Sequence, residues 1–268
     1  MTTVLDSKSK LVVVTDLDGT LLDHSTYSFK PALPALGRLR REKVPIVFCS
    51  SKTAPEIQRI QEKTGVHDAF IFENGGGIWL PKGLIGTEEV VALGVPCAEL
   101  IDHLQEIALR FRFEFRSMPA MSVAELADET GLTIEEARLA RKREFSVPFL
   151  ILSSRIDMNA LQDEARRRGL QVTAGGRFFH LMGPHDKGYA TRKLREIYAR
   201  HWGVPVKMIG LGDSRNDLEM LREVDIPVCI PNPRSRVPLT DEVVWSVEAN
   251  APGPEGWNEA VLQTLDNT

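Results

Sequence analysis

The stretch "LVVVTDLDGTLLD", Leu11 to Asp23, constrains the fold more than any other part of this 268-residue chain. Its apolar start shows no alternation, so both sides of the run must be covered, as in a strand buried inside a parallel sheet. The run then ends in two carboxylates, Asp16 and Asp18, flanking one leucine. Ionised carboxylates repel each other and resist desolvation, so a pair at the mouth of a buried strand calls for a cation, a proton or a chemical role.

The rest of the chain supplies partners for that strand. "PALPALGRLRREK" and "APEIQRIQEKTG" have helical periodicity, the second closed by Gly65, and they alternate with the strand-like runs "VPIVFCS" and "AFIFENGG". The same alternation returns late, with a helix in "HDKGYATRKLREIYARHWG", a strand in "VPVKMIGLGD", a helix in "SRNDLEMLREV" and a strand in "IPVCI". Strands separated by helices predict an α/β fold, a doubly wound Rossmann-like parallel sheet covered on both faces, assembled from both ends of the sequence. The middle is looser: "EEVVAL", a helix from Pro96 to Arg110, "FRFEF", helical stretches in "SVAELADET" and "TIEEARLARKR", "VPFLILS", a helix from Met158 to Arg168, and "LQVTAGGRFFHLMG". Four short strands with interposed helices predict an inserted α+β domain with its own sheet. The expected division is a core over 1–81 and 184–268 and an insert over 82–183.

With 33 basic and 37 acidic residues, a formal net charge of -4 argues against a nucleic-acid binder. Any anionic ligand must be met locally. The three cysteines are far apart and show no CxxC spacing, so neither a disulfide framework nor a zinc knuckle is expected. Reduced thiols, no apolar leader and no run near the roughly 20 apolar residues of a membrane span predict a soluble cytoplasmic protein with no membrane contact.

In open parallel sheets, ligands bind beyond the carboxyl ends of strands, and four polar clusters fall there. Asp16 and Asp18, at i and i+2, point to one side of an extended chain, and Gly19 permits a sharp exit turn. An EF-hand loop is excluded, because its sixth and twelfth positions hold Leu21 and Tyr27. "FCSSKT" places Ser50, Ser51, Lys52 and Thr53 before a helix, where hydroxyls serve equally as an oxyanion site or as a helix N-cap. Lys187 starts another helix against the helix dipole. In "IGLGDSRNDLEML", Asp213 and Asp217 lie four apart on a turn into a helix, and Gly210 and Gly212 lack the third glycine of a dinucleotide fingerprint. Hard oxygen ligands at neighbouring strand ends suit magnesium with room left for a phosphate. A carboxylate nucleophile, a nearby acid, and cations or hydroxyls for the equatorial oxygens are the parts of covalent phosphoryl transfer.

"DLDGT", a serine after the second strand, a lone lysine and "GDSRND", in that order, resemble the four motifs of the haloacid dehalogenase superfamily of phosphatases. The resemblance implies Asp16 as nucleophile, Asp18 as general acid and base, and Ser50 and Lys187 as holders of the phosphoryl group. It also implies magnesium (Mg2+) on Asp16, the Asp18 carbonyl and Asp213, supported by Asp217. An insert between the serine and lysine motifs resembles the cap of the superfamily's sugar-phosphatase branch. Within that branch, "FCSSKTAPEI", "FIFENGGGIWLP", "RKREFSVPF" and "GGRFFHLMG" resemble the mannosyl-3-phosphoglycerate phosphatases, although Ser51-Lys52 stands where general sugar phosphatases tend to carry Gly-Arg. The implied partner is a small phosphorylated sugar bearing a carboxylate. Candidates to meet it are Ser51, Lys52, Glu73, Asn74, Gly75 and Gly76 at the core edge, and Arg143, Arg177 and His180 in the cap. Phosphatases of glucosyl-3-phosphoglycerate or of a hexose phosphate, and a phosphosugar-binding regulator, are the alternatives.

Overall fold

The first strand, β1 (Lys10–Thr15), buries Val12, Val13 and Val14 completely in the computed structural model, which describes residues 9–153, 156–174, 177–235 and 239–267. Its β-branched residues suit a strand with parallel neighbours on both edges. Around it, in chain order, come α1 (Leu33–Arg41), β2 (Ile46–Cys49), α2 (Ala54–Thr64), β3 (Phe70–Phe72), β4 (Gly77–Leu80), α3 (Lys82–Ile85) and β5 (Glu89–Ala92). Next are α4 (Cys97–Phe111), β6 (Phe115–Ser117), α5 (Val123–Thr130), α6 (Ile134–Ala140), β7 (Ser146–Ile151), α7 (Met158–Arg167), β8 (Gln171–Ala174) and β9 (Phe179–Met182). The chain closes with α8 (Lys187–Trp202), β10 (Val206–Gly212), α9 (Leu218–Glu223), β11 (Ile226–Cys229), β12 (Val247–Glu248) and α10 (Gly253–Asp266).

The large sheet has the order β12-β11-β10-β1-β2-β3-β4-β5, parallel from β12 to β3 and antiparallel at β4 and β5. Residues of α1, α2 and α10 pack on one face, with Leu36, Leu39, Ile57 and Trp257 in the core, and residues of α3, α8 and α9 pack on the other, with Leu84, Leu194, Met220 and Leu221. This is the doubly wound arrangement expected from the sequence. Among the described residues, no helix is long and apolar enough to cross a membrane.

A second sheet, β6-β7-β9-β8, is antiparallel and lies within 115–182. Leu100, Leu104 and Ile107 of α4 and Leu161 and Ala165 of α7 cover it. The α5 and α6 pair closes its own small cluster with Met118, Met121 and Phe178. One strand is placed differently from expectation. "EEVVAL" pairs with β4 on the edge of the large sheet rather than in the insert, with Val91 opposite Ile78. A short run of apolar residues carries no mark of which sheet it joins. The second sheet reaches four strands because "LQVTAGGRFFHLMG" folds back into β8 and β9.

Candidate active site

The end of β1 is where the carboxylates meet. The Asp16 N–H donates to the Leu211 carbonyl at 2.9 Å, which continues the β1–β10 ladder one residue beyond the strand. The chain then turns sharply at Gly19, with φ +83°, and a Cβ there would sit 2.5 Å from Asp213 Oδ2. Glycine is required by both conformation and space. Asp213 follows β10, and Asp217 caps the turn after it: one oxygen accepts from the N–H groups of Asp213 and Ser214, each at 3.1 Å, and from Ser214 Oγ.

Lys187 supplies the buried counter-charge. Its ammonium, fully enclosed, donates to Asp16 Oδ1 at 2.6 Å and Asp217 Oδ1 at 2.7 Å. Burial works to lower its pKa, but the two carboxylates outweigh burial and hold it above the ordinary lysine range. The helix-start lysine that the dipole disfavours is therefore explained by its partners, while Asp186 caps α8 by accepting from the Tyr189 N–H.

Three buried carboxylates face one buried ammonium, so the cluster is short of positive charge. Burial raises the Asp16 pKa well above its ordinary value, opposed by Lys187 and reinforced by Asp217, Asp18 and Asp213. Burial, then the Asp217 charge, pushes Asp213 up to about 7. One oxygen from each of Asp16, Asp213 and Asp217 lies within 4.8 Å of the others. A hard divalent cation fits this donor set. Asp217 is the least available ligand, since one oxygen accepts from Lys187 and the other from three donors, whereas each Asp213 oxygen accepts from one.

A raised carboxylate pKa contributes stability below the unfolded pKa, and that contribution is lost as pH rises through the folded pKa. For Asp213, cation-free protein should lose stability between the ordinary carboxylate range and about pH 7. Mg2+ should therefore raise Tm more at pH 8 than at pH 5. At about 100 times Kd the gain at pH 8 should be roughly 5 °C. Melting curves with magnesium and with chelator test this, and equal gains at both pH values would contradict it.

The serine cluster divides between the two roles that its sequence allows. Thr53, not Ser50, caps α2: its side chain pairs with the Glu56 N–H, and Glu56 returns to the Thr53 N–H at 2.8 Å and Oγ1 at 2.9 Å. Ser50 is buried one residue beyond β2, its carbonyl accepting from the Asn74 N–H at 3.0 Å. Lys52 turns back to donate to Asp18 Oδ2 at 2.7 Å, while Asp18 Oδ1 is buried without a partner among the described residues.

Glu73, Asn74 and Gly75 form a turn with φ values of 49°, 56° and 96°. The Glu73 carboxylate is fully buried against the insert, accepting from the N–H groups of Glu144 at 2.7 Å and Phe145 at 3.1 Å and from Ser146 Oγ at 2.5 Å. Arg143 Nη1 stands 4.0 Å from it and donates to the Ser51 carbonyl and Ser146 Oγ, each at 3.1 Å. Gly75 passes against the Asp186 backbone, and the Gly76 carbonyl accepts from the N–H groups of Leu93 and Gly94. The "ENGG" turn thus joins the Ser50 and Lys187 segments to the insert. Glu73→Gln places an NH2 group among these donors and should cost about 1–3 kcal/mol. Denaturant unfolding measures the loss, and amide exchange at 144–146 should speed up with it.

Two insert candidates differ in placement. His180 lies half-buried opposite Pro148, and burial followed by the Arg143 charge lowers its pKa to about 4, so it is neutral at pH 7. Arg177 is exposed and pairs with the carbonyl and carboxylate of Glu129, at 3.2 Å to the latter. Three further residues adjoin Asp213: Asn232 Nδ2 donates at 2.7 Å, Thr20 Oγ1 at 3.3 Å, and His24 Nε2 lies 3.6 Å away. Asn232 follows the end of β11, so the strand-end rule was sufficient to find it. His24 carries no such signal.

The profile of the haloacid dehalogenase-like hydrolases matches residues 13–114. A glucosyl-3-phosphoglycerate/mannosyl-3-phosphoglycerate phosphatase from Persephonella marina is 37% identical over 96% of this chain and 97% of its own length. A relative of the same description from Methanococcoides burtonii is 35% identical over the same shares. Among solved structures, a haloalkanoate-superfamily phosphatase from Bacteroides thetaiotaomicron has a TM-score of 0.68 at 20% identity, covering 99% of this chain and 98% of its own. A Thermoplasma acidophilum protein has a TM-score of 0.69 at 19% identity, covering 97% of this chain and 100% of its own.

Proposed function

Because the chain belongs to the haloacid dehalogenase-like hydrolases and is a phosphatase, we propose that it hydrolyses mannosyl-3-phosphoglycerate to mannosylglycerate and phosphate with the help of magnesium. The supporting observation is the cluster in which Lys187 binds Asp16 while Asp18, on the same turn as Asp16, pairs with Lys52 from the end of β2. An Asp16 oxygen attacks phosphorus, the bond to the sugar-acid oxygen breaks, and Asp18 gives that oxygen a proton. Asp18 then takes a proton from water, which attacks the aspartyl-phosphate and releases phosphate and the free Asp16 carboxylate. Lys187 and Ser50 hold the phosphoryl oxygens. Asp16, the Asp18 carbonyl and Asp213 would hold magnesium, and the ion would supply positive charge to offset the negative charge of the phosphoryl group.

Residues 82–183 are proposed to act as a cap over this site, with the "ENGG" turn as its junction to the core. Closure excludes water and lets insert residues select the substrate. Ser51, Lys52, Asn74 and Arg143 border the phosphoryl pocket on that junction, and His180 adds a neutral hydrogen-bonding group. The double name of the relatives supports a second reading, in which the glucosyl compound is accepted as well. Both sit in a cytoplasmic enzyme of small phosphorylated sugars.

The test is phosphate release with magnesium from mannosyl-3-phosphoglycerate, its glucosyl counterpart, mannose 6-phosphate and 3-phosphoglycerate, with Asp16→Asn as the blank. Preference for the mannosyl compound is expected. Equal rates on both glycosyl compounds widen the substrate class, and preference for mannose 6-phosphate overturns the substrate assignment.

A further inference from the structure

A cavity of about 430 Å³ lies between α2, the loop after β1 and the α5–α6 turn of the insert. Its walls include Tyr27, Lys52, Arg59, Lys63, Leu132 and Glu136. Lys52 connects it to the chemistry, because this lining residue donates through its ammonium to Asp18 at 2.7 Å. Whatever oxygen takes the proton of Asp18 leaves beside Lys52, so the organic part of the substrate is directed toward this groove.

The lining suits a polyol carrying one negative charge. Tyr27 is 58% exposed, its backbone lies in the left-handed region at φ 54°, and its ring centre is 5.6 Å from Lys52 Nζ. A bulky residue in that region is a strained position, and such positions concentrate where ligands bind. An exposed aromatic face held beside a cation offers a flat apolar platform for the C–H face of a sugar ring. Arg59 and Lys63, one turn apart on α2, line the same wall. The two acids of the lining have partners of their own: Glu136, on α6 across from Arg59 and Lys63 and within reach of their charge, accepts from the Thr133 N–H at 3.0 Å and Oγ1 at 2.7 Å, and Glu56, on α2 itself, accepts from Thr53. The volume also lies within the roughly 300–1,000 Å³ of small-molecule sites.

Resting on the function proposed above, we infer that this groove seats the glycosyl-glycerate portion of the substrate, the hexose on Tyr27 and the carboxylate toward Arg59. Core helix α2 and the α5–α6 turn then share in choosing the sugar, and cap placement sets the width of the groove.

The experiment compares kcat/KM for mannosyl-3-phosphoglycerate and glucosyl-3-phosphoglycerate with kcat/KM for acetyl phosphate, which lacks a sugar, in wild type, Tyr27→Ala, Tyr27→Phe and Arg59→Met. Tyr27→Ala and Arg59→Met should each lower the glycosyl to acetyl phosphate ratio by about tenfold or more, chiefly through KM. Tyr27→Phe should retain most of it. An unchanged ratio in both variants, with wild type active on the glycosyl compounds, overturns the groove assignment and leaves the function standing. An equal loss on all substrates also overturns it, since recognition is then not what changed. Wild type active on acetyl phosphate but on neither glycosyl compound sinks the substrate reading and the groove with it.

Discussion

Asp16→Asn is expected to reduce phosphate release by about 10⁴-fold or more on every substrate, with the fold intact. An amide cannot form the acyl-phosphate, and no other carboxylate takes its place: Asp217 is hydrogen-bonded through both oxygens, and Asp213 is held by Asn232 and Thr20. Stability should move the other way. Ionised Asp16 is disfavoured by burial and by three neighbouring carboxylates, so its charge costs stability in cation-free protein. Asparagine removes that cost, and Lys187 keeps Asp217 as a partner. The variant should therefore melt at or above the wild-type temperature at pH 8 in chelator, and its Tm should depend less on pH. A variant that is inactive and also unfolded would show that Asp16 is mainly structural.

Much of the core was legible because its signals are local. A fully apolar run followed by "DLDGT" gives a central strand, a strand end and a tight turn without reference to anything distant. The helix termini are equally local, as Gly65 after α2 and the Thr53 and Glu56 capping box illustrate. What sequence could not supply was the partner of each group. Glu73 reads as a ligand because it is acidic and stands at a strand end, yet its carboxylate is met by backbone N–H groups 71 and 72 positions away. Arg177 reads as a cap cation, yet Glu129 occupies it. "EEVVAL" fits either sheet, and only the open edge of β4 decides its place. Serine and threonine in "FCSSKT" share cap chemistry, and only the observed bonds separate the capping Thr53 from Ser50.

Lys187→Met should cause the largest combined loss of activity and stability. The ammonium is the one positive group that contacts both Asp16 and Asp217 among the described residues, and methionine keeps the side-chain length while removing the charge. Removing one member of a buried ion pair leaves the others uncompensated, at a cost of about 3–5 kcal/mol. For a chain of this size that is a fall in Tm of roughly 10 °C. The loss should be greatest above neutral pH, where the remaining carboxylates favour ionisation in bulk solution but resist it in the cluster, and smallest in acid, where protonation relieves them. Magnesium should recover part of the stability, because a cation at the carboxylates reduces the same repulsion. It should not recover turnover, since Lys187 both orients Asp16 and meets the phosphoryl oxygens, and kcat should remain below about one-thousandth of wild type. Thermal melts at pH 5 and pH 8, each with magnesium and with chelator, separate these effects. A variant as stable as wild type at pH 8 in chelator would mean that the three carboxylates share protons freely enough to need no cation, which would remove the electrostatic basis for a divalent ion at this site.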